Sequence, residues 1–234
     1  MSETFWPVLR LTGLTALLVG GSLVAAGLHA IRVDRVGEPA FAFLFWNLFL
    51  AWVPYVIAVV MTALDRARAP GWVLGALGVA WLLFLPNAPY ILTDFIHVGA
   101  IPGAPRWFDA ALIGAFAGTG LLLGLASLLL VHHMVARRAG PLAGWALAVG
   151  SLALSSLGIY LGRFPRFNSW DVVTNPDGLV RIILMRLADP WGNPFLLAFA
   201  VTMTLGLVGS YLVTWFLGQM LVRRSVGRVA QYGG

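Results

Sequence analysis

The chain has no cysteine and no lysine, and little charge of either sign. Without Cys there are no disulfides, no thiolate metal sites and no thiol nucleophile, although a Cys-free chain fits any redox compartment. All fifteen basic residues are Arg, a bias that carries no mechanism by itself. Charged residues make up 10% of 234, against about 25% in ordinary soluble domains. Signature motifs are missing as well: no G-x-S-x-G, H-E-x-x-H or Walker sequence occurs. That leaves the corresponding hydrolase and NTPase chemistries without support. Gly114-x-x-x-Gly118 and Gly120-x-x-x-Gly124 lack the Lys-Ser/Thr sequel of a phosphate loop and read as helix-packing surfaces.

What is present is apolar. Hydrophobic residues are 60% of the chain and mean hydropathy is +0.88, with ten Trp and 27 Gly. Trp marks membrane interfaces, and Gly lets helix backbones approach closely. Six apolar runs can be read, at about 8–31, 41–64, 72–90, 108–134, 142–160 and 194–222. Spans need about 20 residues each, so the expectation is a single all-α polytopic membrane domain, residues 1–234, with six transmembrane helices. Within the first run Arg10 stands before an apolar stretch with small residues near Ala25–Ala26, the outline of a signal peptide. It is long for one, and an uncleaved span is expected. The third run is interrupted by Pro86 and Pro89, which predicts a kink or an unwound stretch.

Charge placement suggests an orientation. With the N-terminus inside, Arg10, Arg66, Arg68, Arg137, Arg138, Arg223, Arg224 and Arg228 face the cytoplasm against Glu3 and Asp65. Seven Arg and seven acids face outward, but the short outer connections hold only three of those Arg. Both termini are therefore expected on the cytoplasmic side of a bacterial inner membrane. The net charge of +6 is spread over loops and not gathered on a soluble face, so no nucleic-acid partner is expected. The stretch 163–193 is too polar to span. It predicts a turn at Asn175–Gly178, then an interfacial or re-entrant helix at Leu179–Ala188 that Asp177 could cap, flanked by Trp170 and Trp191.

Two polar strings stand out, Leu85–His97 (LPNAPYILTDFIH) and Gly158–Asp171 (GIYLGRFPRFNSWD). Each ends an odd-numbered run, so six alternating spans put both on one side of the membrane in either orientation. Asn47, His29 and Asp109 belong to the same side, with Asn47 about six residues, roughly 9 Å, inside its span. Polarity in a lipid-facing chain is costly and asks for a reason.

Asp94 and His97, three apart, would share a helix face, which suits a carboxylate-oriented general base or part of a metal site. A metal would need Asp109, Asp171 or His29 as well, and nothing in their spacing requires it. The bland alternative is an interfacial Asp capping a broken helix. Asn87 either stitches the break between the prolines or lines a site there. Arg163 and Arg166 sit among Tyr160, Phe164, Phe167 and Trp170, with Asn168 and Asp171 nearby. Guanidinium forks match phosphate or carboxylate, although Arg also snorkels to headgroups with no further role. His132 and His133 do not predict haem, since neighbours point in different directions and no partner His faces them. No cofactor is indicated.

WNLFLAWVPY (Trp46–Tyr55), LPNAPYILTDFIH (Leu85–His97) and YLGRFPRFNSWDVV (Tyr160–Val173) resemble a family of bacterial integral membrane proteins, domain of unknown function 1361. The resemblance implies a multipass membrane protein of this size and no activity or catalytic residue. From the residues themselves, the leading expectation is a polar outer-leaflet pocket for an anionic lipid headgroup or lipid-linked phosphate. Asn47, Asn87, Tyr90, Tyr160, Arg163, Arg166, Asn168, Trp170 and Asp171 would contribute to it. If the protein is an enzyme, Asp94 and His97 are the acid–base candidates. The alternatives are a small-solute transporter using the broken third helix, and a non-catalytic assembly or partner-binding subunit.

Overall fold

The computed structural model describes residues 5–167, 169–188 and 192–232, so Asn168, Asp189 and Trp191 lie outside the described residues. Among the described residues there is no strand. The helices are α1 (Phe5–Val36), α2 (Phe43–Arg66), α3 (Gly71–Phe84), α4 (Asn87–Tyr90), a 3-10 helix (Ile91–His97), α5 (Arg106–Ala139), α6 (Pro141–Arg163), α7 (Asp171–Thr174), α8 (Pro176–Ala188) and α9 (Pro194–Tyr232). Six stretches are long and apolar enough to cross a membrane: Leu11–Val36, Phe43–Arg66, Gly71–His97, Arg106–Ala139, Pro141–Arg163 and Pro194–Met220. The protein is an all-α polytopic membrane helix bundle. Its spans match the six apolar runs within a few residues, except that the third continues to His97 through its break.

Chain packing forms two compact units, Met1–Ser127 and Leu128–Gly234, with the division inside α5. In the first unit α2 packs on α3 and α4. Its buried residues Leu44, Leu48, Ala51, Tyr55, Ala58 and Thr62 recur every three or four positions, the stripe that a 3.6-residue helix turns toward neighbours. Trp46, Phe49, Val56 and Val60 point outward and are exposed, as lipid-facing side chains are.

The third span breaks where the prolines predict. Pro86 and Pro89 lack the N–H groups that would continue the helical ladder. The ladder tightens instead: the Ala88 N–H bonds the Leu85 carbonyl at 3.1 Å. Asn87 Nδ2 donates to the Phe84 carbonyl at 3.0 Å, so this amide does stitch the break. A Cβ on Gly120 would lie 2.7 Å from the Ala88 carbonyl oxygen, and one on Gly124 would lie 2.9 Å from the Ala88 Cβ. This glycine pair is the surface that admits the broken segment. Gly118 meets nothing within 4 Å, so the packing role expected of it is absent at that residue.

In the second unit α6 packs on α9, and its buried residues include Ala148, Ser151, Leu152, Ser155 and Ile159. Two of the buried serines return their hydroxyls to their own helix, Ser151 to the Ala148 carbonyl and Ser156 to the Leu152 carbonyl, while Ser155 Oγ is buried without a hydrogen bond among the described residues. Thr204 of α9 donates to Ser156 Oγ at 3.0 Å. The helix α8 rests Leu179, Ile182 and Ile183 on a core of Tyr160, Leu161 and Leu196. Thirteen residues at 1.5 Å each reach roughly 20 Å, short of the bilayer core. Its cap is not Asp177. Asn175 Oδ1 accepts the Gly178 N–H at 3.2 Å, because the helix starts at Pro176, which has no N–H to satisfy and a φ already suited to the first turn.

Candidate functional site

The sequence-predicted residues divide between the two units, and each unit builds its own polar region. In the first unit the end of α1, the start of α2, the 3-10 helix and the start of α5 meet. Asn47, the fifth residue of α2, donates through Nδ2 to Asp94 Oδ2 at 2.8 Å. Asp94 is 1% exposed. The contact joins two residues 47 apart in sequence. His97 is half-buried and sets its ring edge against Phe43, centroids 5.2 Å apart. His29 is buried, with Nε2 2.9 Å from the Ala40 carbonyl and its ring edge on Phe45.

Beside them lies a pair the sequence reading did not assemble. Arg32 Nε donates to Asp109 Oδ1 at 2.8 Å, both side chains fully buried. Arg32 Nη2 reaches the Ile101 carbonyl at 3.2 Å. The guanidinium carbon stands 4.7 Å from the centre of the Phe41 ring, within the range of a cation–π contact. Phe41 adopts φ 66°, a left-handed backbone that costs a non-glycine residue about 1–2 kcal/mol. The Arg32 contact is one of the interactions that hold it there. Asp109 is thus a partner to an arginine. Among the described residues no group of three or more His, Asp or Glu side chains is arranged as a metal site. The signal for Arg32 was available, since it is an Arg near the end of an apolar run, but nothing in one dimension pairs it with a residue 77 positions on.

In the second unit α6 ends in an aromatic cluster. Tyr160 is buried, Phe164 lies 5.0 Å from it between ring centres, and Phe195 and Phe199 close around Phe164. Arg163 is half-buried at the helix end, and Arg166 is exposed with φ 64°. Trp170 is exposed. Asp171 opens α7 and accepts the Thr174 hydroxyl at 3.0 Å. Along one face of α8, Gly178, Arg181, Ile182, Met185 and Arg186 line an open cleft of about 480 Å³ closed by Asn193 from the start of α9. Arg186 donates to Asn193 Oδ1. Val180 and Leu184 are exposed on the outward side of the same helix, which suits burial at a membrane interface.

Tyr90 and Asn87 are half-buried beside the break in the third span. At the opposite end of α6 a third polar group forms around His132, whose Nδ1 lies 2.6 Å from the Tyr211 hydroxyl. Both His132 and His133 stack on Trp215, with centroids at 4.8 and 5.0 Å. The expectation that adjacent imidazoles diverge is corrected by one indole broad enough to carry both.

A family model described as Protein of unknown function (DUF1361) matches residues 46–208, well over half of the chain. Searches of curated proteins and of solved structures gave no match.

Proposed function

The chain belongs to the DUF1361 family, whose description assigns no activity, and we propose from the site chemistry that this membrane protein binds a phosphate-bearing anionic headgroup. The headgroup belongs to a membrane lipid or a lipid-linked carrier at the extracytoplasmic face of a bacterial inner membrane, both termini being cytoplasmic. The observation that carries this reading is the α8 cleft, where two guanidinium groups and the Asn193 amide border an apolar floor of Ile182 and Met185. Arg forks match phosphate oxygens in pairs, and the apolar floor suits the first methylenes of an acyl chain. Arg163 and Arg166 add positive charge in the same unit, and the exposed Val180 and Leu184 keep α8 at the interface. Snorkelling alone accounts for Arg but not for a cleft that gathers two of them with an amide. Transport through the broken third span has less support, because Asn87 and the two glycines of α5 close that break with direct contacts.

Native mass spectrometry of the protein released from nanodiscs tests the reading, using phosphatidylglycerol against phosphatidylcholine and, separately, inorganic phosphate in detergent. Retained phosphatidylglycerol adducts, reduced about tenfold in Arg181→Gln/Arg186→Gln, are expected, a change worth about 1.4 kcal/mol. Adducts to inorganic phosphate alone would make the ligand a soluble anion and not a lipid. Equal retention of the zwitterionic lipid, or no effect of the double substitution, would overturn the proposal.

A further inference from the structure

The group around His132 belongs to no part of the proposed lipid site. His132 and Tyr211 are each 1% exposed, inside stretches that are long and apolar enough to span. An ionisable side chain at such a position asks for a function and a partner. The partner here is one hydroxyl, 2.6 Å from Nδ1. Trp215 lies nearly parallel to the imidazole, at 4.8 Å and 11°, and Trp145 presents at 4.9 Å and 70°. A flat aromatic face of this kind stabilises a cation above it. The fit depends on Gly144 of α6, where a Cβ would fall 2.6 Å from His132 Cδ2 and 2.9 Å from Nε2.

We infer that His132 and Tyr211 form a proton-binding site within the membrane, in which uptake of a proton reverses their hydrogen bond. When Nδ1 carries the lone pair, the Tyr211 hydroxyl donates to it. A proton added to Nδ1 makes the ring imidazolium, and Nδ1–H now donates to the Tyr211 oxygen while the hydroxyl hydrogen turns away. No covalent bond other than the new N–H changes, and the site gains one positive charge. Neither state leaves Nδ1 without a partner, which is what a buried group needs in order to exist in both.

The surrounding groups define what the proton meets. On α5 itself His133 has its ring 5.9 Å away, and Arg137 and Arg138 follow one turn on. From α6 come Gly144 and Trp145, and that helix holds no charged residue before Arg163. From α9 come Tyr211 and Trp215, with no charged residue between Pro194 and Met220. Among the described residues of this unit no carboxylate is in contact with His132, so the Trp215 face and one hydroxyl are what the charge meets. His133 is exposed, returns Nδ1 to the Leu129 carbonyl, and is the titratable neighbour whose charge acts directly on His132.

The test is side-chain NMR of the full-length protein in nanodiscs, with ¹⁵N-histidine and ¹³C-tyrosine labels and His132→Gln for assignment. As the pH is lowered from 8, the His132 nitrogens are expected to pass from a neutral tautomer to imidazolium, and the Tyr211 Cζ signal to move at the same midpoint. In Tyr211→Phe, which keeps the ring, the His132 midpoint is expected to shift by at least about half a pH unit, the scale on which one hydrogen-bond partner acts. A His132 signal that stays in one neutral tautomer down to the lowest pH at which the protein remains folded would overturn the inference. So would a His132 titration that leaves Tyr211 unmoved in wild type and is unchanged in Tyr211→Phe.

Discussion

Arg32 and Asp109 touch through a single N–H···O contact, and Arg32 Nη1 and Asp109 Oδ2 are buried without a hydrogen bond among the described residues. A buried pair in this state gains little over a well-packed apolar pair, but its two halves cannot be separated cheaply. Arg32→Ala leaves Asp109 charged and alone at 0% exposure. It is expected to lower stability by about 3–5 kcal/mol, while Arg32→Met with Asp109→Leu costs far less. Thermal unfolding of both variants in the same detergent, followed by size-exclusion recovery, measures the difference. If the double variant falls as far as the single one, attraction within the pair was the deciding term. Asn47 and Asp94 follow the same logic with one charge fewer. Asn47 and Asp94 were both legible in the sequence as polar residues out of place, and the Pro86–Pro89 break was legible too. Arg32 was counted there only as a loop cation, because a side chain's partner 77 residues away leaves no local trace.

The elements hold these residues in place by close packing of small groups. Gly120 and Gly124 let α4 come so near that a Cβ on either would fall within 3 Å of Ala88, and that approach carries the 3-10 helix with Asp94 toward Asn47. A Gly120→Val substitution is therefore expected to cost about 1–3 kcal/mol through overpacking against backbone that cannot yield. Gly118→Ala, which meets nothing within 4 Å, is expected to be near neutral in the same melting assay. Equal effects at the two positions would mean that helix propensity and not the close approach decides. The helix α8 was legible as an apolar ten-residue run with two Arg. Its cap was not, because Asp177 and Asn175 are both good capping residues and only the position of Pro176 in the first turn selects Asn175.

At the scale of the whole molecule, the absence of Cys makes the wild-type chain its own labelling background. Six spans predict that Ala100→Cys and Thr174→Cys react with a membrane-impermeant maleimide from one side of sealed vesicles, and Ala139→Cys from the other. Labelling of Ala100→Cys and Thr174→Cys from opposite sides would refute the even number of crossings between them. The sequence by itself determined the solvent, the number of spans and the break in the third, because hydropathy, length and proline chemistry act locally along the chain. It also marked Asn47, Asp94, Arg163 and Arg166 as polar groups needing an explanation. The tertiary structure decided who meets whom: Asn47 with Asp94, Arg32 with Asp109, His132 with Tyr211 over Trp215. Those pairings depend on helix rotation and on approach distances set by a few glycines, quantities that a one-dimensional pattern of apolar and polar residues does not contain.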